Sequence, residues 1–143
     1  MKIIFCFALL LCSTPIFSQD QQAVTLAATD YIDAFYFGDT LKLKRSVSPA
    51  VIKYGYYRVK DKTNYEGEPM SFQEMLDYAT RVNKRNKPEA AAKFVKEVQV
   101  LDVQNKTACA KVKAWWGTDY LLMTKLDDKW VITHVLWQSY PAN

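Results

Sequence analysis

Between Val24 and Phe37 the apolar residues Val24, Ala27, Ala28, Tyr31, Ile32 and Phe35 recur at intervals of one helical turn, with Thr25, Asp30 and Asp33 between them. That spacing predicts an amphipathic helix with Gly38 as its stop. Asp39 then offers a side-chain acceptor for a short second helical turn, Leu41 to Val47, which ends before Pro49. VIKYGYYR, residues 51–58, is β-branched and aromatic and predicts a strand. The polar run VKDKTNYEGEP after it predicts a loop. SFQE, residues 71–74, is a capping box with Ser71 as N-cap, and Phe72, Met75, Leu76, Ala79 and Val82 continue a helical stripe. Past Pro88 the period drops to two. FVKEVQVLDV (94–103), TACAKVKAWW (107–116), DYLLMTKL (119–126) and KWVITHVLWQ (129–138) all read as strands.

Helices come early and strands late, which predicts an α+β fold with helices on one face of a mostly antiparallel sheet. Short polar connections make the last four strands a meander. The helices are too few and too early to serve as crossovers in a parallel sheet.

The chain has 143 residues and a net charge of +4. Residues 1–18, MKIIFCFALLLCSTPIFS, join one lysine to a short apolar run and end on a small residue, the pattern of a secretory leader cleaved after Ser18. The run is too short to span a membrane, which takes about 20 residues. Residues 19–143 then form a single exported domain, periplasmic or secreted. Leu11 before Cys12 disfavours lipidation, and loss of Cys6 and Cys12 leaves Cys109 without an intramolecular disulfide partner. Mixed charges argue against nucleic-acid binding. RVNKRNKP, residues 81–88, reads as a helix C-terminus, with a phosphate site as the alternative.

The early helix with Tyr31 and Phe35, the segment around SFQEML, the alternation Ala108, Ala110, Val112, and TDYLLMTKLDDKWVITHVLWQ together resemble the nuclear-transport-factor-2-like superfamily. More narrowly, they are similar to the bacterial secreted proteins called putative lumazine-binding. The resemblance implies a cone, in which a strongly curved sheet wraps the helices and leaves a pocket at the open end. It also implies frequent homodimers through the outer sheet face. Its members include isomerases, dehydratases and polyketide cyclases, so the fold alone does not carry function. This chain departs from the family at the last hairpin, where Asp127-Asp128 replaces the usual Asp-Gly and a looser turn is expected.

A two-residue turn at Asp127-Asp128 pairs Leu126 with Lys129 and, by continuation, His134 with Leu121. Alternation then puts Trp130, Ile132, His134 and Leu136 on one face with Asp119 and Leu121. By the resemblance this is the concave face. His134, the only histidine, and Asp119 become diagonal neighbours about 7–8 Å apart. They are the candidate catalytic pair, with His134 as general base. The alternative is a neutral His134 that merely lines the pocket. Candidate ligand-binding residues are Tyr31, Tyr54, Tyr56, Arg58, Trp116 and His134, suited to a flat, partly apolar ligand. Tyr120, Val131, Thr133, Val135 and Trp137 are expected on the opposite face, which would form the homodimer. His134 has no metal-ligand companion, and no cofactor is called for. Three functions follow: a binding protein for a small aromatic or apolar molecule, a cofactor-independent lyase or isomerase, or an interaction module without ligand.

Overall fold

The computed structural model describes residues 16–59, 64–83 and 93–141. Residues 1–15 of the expected leader and residues 84–88 of the basic run lie outside them. The order is α1 (Ile16–Phe37), α2 (Thr40–Ser46), β1 (Val47–Arg58), β2 (Tyr65–Pro69), α3 (Phe72–Asn83), β3 (Glu97–Val103), β4 (Thr107–Ala114), β5 (Gly117–Leu126) and β6 (Lys129–Gln138). The strands form one curved sheet in the order β2-β1-β6-β5-β4-β3, antiparallel except for β1 beside β6. Among the described residues no helix is long and apolar enough to cross a membrane.

Helix α1 lies in the sheet's concave side and supplies much of the core, with Val24, Ala28, Tyr31, Ile32, Ala34 and Phe35 buried. Gly38 leaves the helix at φ 70°, and the Asp39 carboxylate accepts from Leu41 N and Lys42 N to start α2. The polar side of α1 is covered as well. Asp30 and Asp33 are buried; Arg45 donates to both oxygens of Asp30 at 2.5 and 2.7 Å. Lys42 and Lys96 hold Asp33 at 2.6 and 2.7 Å. The capping box of α3 forms, with Ser71 N donating to Glu74 Oε2 at 2.7 Å.

One strand escapes the sequence pattern. YEGEP, read as part of a loop, is β2, an edge strand antiparallel to β1. It carries no apolar alternation, and its Gly67 lies beneath the rings of Tyr54 and Tyr56. Those two rings touch edge to face at 5.4 Å and stand on the outer side of the sheet.

At the last hairpin Asp127 and Asp128 adopt φ 44° and 60°, and Leu126 pairs with Lys129. This is a tight primed turn, so the looser turn expected from Asp-Asp does not occur. The predicted register holds as far as Met123 opposite Ile132. There the chain departs from simple alternation: Leu122 pairs with His134, leaving Thr133 as an extra residue. Such a bulge exchanges the faces of everything beyond it. His134 and Leu136 turn outward, whereas Val135 and Trp137 turn inward. Further irregularities lie between Val47 and Ile52 in β1 and at Leu101 in β3.

Left-handed backbone is costly for residues with a Cβ, though least so for Asp and Asn. Asp128→Gly is therefore expected to raise the unfolding free energy by roughly 0.5–1 kcal/mol, and Asp128→Val to lower it by about 1 kcal/mol or more. Urea denaturation of the two variants checks both signs.

Candidate functional site

The cavity between the sheet and the helices has a volume of about 540 Å³. Each wall has a local cause. Phe35 reaches it from α1, one helical turn beyond Tyr31, with the two rings edge to face at 5.1 Å. Tyr78 of α3 and Trp116 meet the same Phe35 ring at 5.8 and 5.6 Å. On β1 the inward positions are Lys53, Gly55 and Tyr57. Gly55 has no room for a side chain, since a Cβ there would stand 1.6 Å from Trp137 Nε1. The indole of Trp137 thus lies against the bare backbone of its neighbouring strand. Met70, Trp115 and Tyr140 complete the apolar lining, with Arg58 and Glu68 as charged groups on it.

The floor is polar and buried. Lys53 Nζ donates to Tyr31 Oη at 2.8 Å, and Tyr31 Oη donates to Asp119 Oδ2 at 2.6 Å. Trp116 Nε1 donates to the other oxygen, Oδ1, at 2.7 Å. Asp119 and Tyr31 are 0% exposed and Lys53 is 8% exposed. The Lys53 ammonium also stands over two ring faces, 4.9 Å from the centre of Phe35 and 5.2 Å from that of Tyr31.

Burial pushes the Asp119 carboxyl above the ordinary carboxylate range, against the opposing pull of Lys53, Tyr31 and Trp116. It pushes the Lys53 ammonium down, with Asp119 opposing. The Tyr31 phenol is driven well up by burial and then by the neighbouring carboxylate. These directions agree on one point: the charge-separated form, Lys53 cationic and Asp119 anionic, is destabilised relative to the same groups in water.

The residues singled out from sequence divide accordingly. Asp119, Tyr31 and Trp116 come together at the floor, and Arg58 borders the cavity. His134 is exposed on the outer face, where its Nδ1 lies 3.1 Å from Thr133 Oγ1. The bulge at Thr133 thus separates His134 from Asp119, and the expected pair does not form. Tyr54 and Tyr56 also face outward, because alternation along β1 places Lys53 and Tyr57 inside instead. Of the five residues assigned to the outer face, Tyr120, Val131 and Thr133 lie there; Val135 is buried and Trp137 lines the cavity. Lys53, Tyr57 and Trp137 were missed. A lysine alone within an apolar strand was their one available signal.

Residues 19–138 match the family described as "Putative lumazine-binding", and the chain belongs to it. Among solved structures it is similar to an NTF2-like protein of unknown function from Shewanella baltica. That pair shares 15% identity with a TM-score of 0.65, covering 90% of this chain and 100% of the other. An NTF2-like protein of unknown function from Methylobacillus flagellatus gives 20% identity and a TM-score of 0.63, over 90% and 96%. A putative dehydratase of the NTF2-like family from Streptomyces avermitilis gives 16% and 0.56, over 90% and 100%. At these identities the likeness is one of fold. No curated protein matches the chain.

A carboxyl whose pKa is raised on folding retains a proton that the unfolded chain has released. Its contribution to stability is therefore complete below the unfolded value and declines as pH rises through the folded one. Asp119→Asn removes that decline. The unfolding free energy of the wild type minus that of the variant is expected to fall between about pH 4 and pH 7 in urea titrations. A difference that rises over that range would show a carboxylate stabilised by ionisation.

Proposed function

We propose that this is an exported binding protein whose conical cavity holds a flat, largely apolar small molecule. The observation that carries the reading is the aromatic lining closed by a single polar floor, in which Lys53 is the group presenting N–H donors to a ligand. Phe35, Tyr78, Trp116 and Trp137 offer ring faces and edges to a planar body. The ligand's orientation is set by an acceptor atom meeting Lys53. The leader pattern of residues 1–18 supports export, and the family description supports a small ligand.

Protein recovered from the exported fraction is expected to begin at Gln19 by N-terminal sequencing and to release a small aromatic molecule, detected by mass spectrometry after denaturation. With added pterins, flavins and steroids, a binding compound quenches tryptophan fluorescence through Trp116 and Trp137. Failure of the whole panel, with no co-purifying molecule, would remove this reading.

A second reading is a cofactor-independent lyase or isomerase, the class suggested by the dehydratase neighbour. One specific observation favours it: Lys53, Tyr31 and Asp119 form an unbroken proton path leading away from the cavity.

We also assign the outer face to a homodimer. Ile52, Tyr54, Tyr120, Leu122 and Leu136 are all exposed there, and strand pairing makes them contiguous: Tyr120 and Tyr54 flank Leu136, and Leu122 and Ile52 flank His134. Leu122→Lys places a charge at the centre of that patch and is expected to give a monomer by light scattering, with the far-ultraviolet circular dichroism unchanged. A wild-type monomer would refute the assignment.

A further inference from the structure

Lys53 is an unusual partner for Asp119. A lysine placed only to neutralise a buried carboxylate is expected to touch it. Here the Tyr31 hydroxyl stands between them, and none of the ion pairs among the described residues involves Lys53. Among the described residues the one hydrogen bond of its ammonium goes to Tyr31 Oη, which leaves two N–H groups and, on loss of a proton, a lone pair at the cavity floor. Desolvated lysines beside aromatic walls are the ones that act as nucleophiles toward carbonyl compounds.

We propose that Lys53 is an imine-forming lysine: the cavity takes a flat, conjugated aldehyde or ketone and holds it through a reversible carbon–nitrogen double bond to Nζ. This rests on the binding reading above and names the ligand class for that same cavity.

At the floor, charge favours a neutral carbonyl over a carboxylate: Arg58 and Glu68 on the wall offset each other in sign, and an anionic group meeting Lys53 would set a second negative charge beside Asp119 for the one ammonium there. The proton path supplies the chemistry without help from solvent. The ammonium gives one proton to Tyr31 as Tyr31 gives its own to Asp119, leaving a free amine and a neutral carboxyl. Nζ attacks the carbonyl carbon; the carbon–nitrogen bond forms, and a nitrogen proton passes to the oxygen, giving a carbinolamine. The proton held at Asp119 returns through Tyr31 to that hydroxyl, the carbon–oxygen bond breaks, and water leaves. The product is a protonated imine facing an ionised Asp119, so one ammonium and one carbonyl have become one iminium and one water. Lys53 is the catalytic residue, and Tyr31 positions it and relays the proton.

The full chain is incubated with 2-naphthaldehyde and cyanoborohydride, and the reduced adduct is located by peptide mapping. 2-Naphthalenemethanol, which has the same body but no carbonyl, is titrated in parallel by tryptophan quenching. The expected result is one adduct, on Lys53, formed at least about tenfold faster than on any other lysine. Lys53→Met abolishes it, while the alcohol, held by the aromatic walls, still binds with affinity lowered about tenfold for the lost hydrogen bond to Nζ. Tyr31→Phe slows trapping about tenfold or more with little change in affinity for the alcohol. If the alcohol binds but label scatters over surface lysines, the imine is overturned and the binding reading stands. If neither compound enters the cavity, both fall.

Discussion

A carboxylate with no access to water is the constraint around which this molecule is arranged. Left alone, a buried Asp119 would cost several kcal/mol, and hydrogen bonds to charged groups return about 1.5–3 kcal/mol each. Its two donors are Tyr31 on α1, distant in sequence, and Trp116, close by at the turn after β4. Satisfying Asp119 therefore fixes the rotation of α1 against the sheet and pins an indole in one orientation. The wall of the cavity is a by-product of that requirement. Phe35 follows Tyr31 by one helical turn and lands on the Trp116 ring, so the site's apolar and polar halves are set by the same few contacts.

Curvature is the second determinant, and local irregularities in the strand ladders produce it. Thr133 in β6, Leu101 in β3 and the stretch between Val47 and Ile52 in β1 each interrupt the ladder and bend the strand that carries them. Each also decides which residues beyond it face the helices. The outer surface keeps Leu122, His134 and Leu136, and the inner one gains Val135 and Trp137.

The helices, their caps and the four late strands were legible in the sequence because each follows from local periodicity or from a side chain next to the backbone it serves. Gly38, Asp39, Ser71 and Glu74 all act within four residues of their own positions. The inner and outer lists were less legible, for one physical reason. Alternation is reset by a bulge, and nothing in VITHV marks Thr133 as the extra residue. Hydrophobicity could not correct the error on β1 either. The outward positions Ile52, Tyr54 and Tyr56 are more apolar than the inward Lys53, Gly55 and Tyr57, so the strand reads inside out. Asp119, Tyr31 and Trp116 were recognised as candidates singly, and only the third dimension shows them to be one group.

The parallel pairing of β1 with β6 brings the earliest strand beside the latest. Such contacts between residues far apart in sequence, Ile52 with His134 for one, close slowly, since the loop entropy must be overcome before the pairing stabilises anything. A ribosome emitting this chain releases α1 and β1 long before their neighbour exists. Trp137, which covers Gly55, emerges only after β1 to β5 have been made. The half-made protein is thus an incomplete sheet with both edges of its centre open, able to remain extended until the last strand arrives and vulnerable to aggregation if that arrival is delayed.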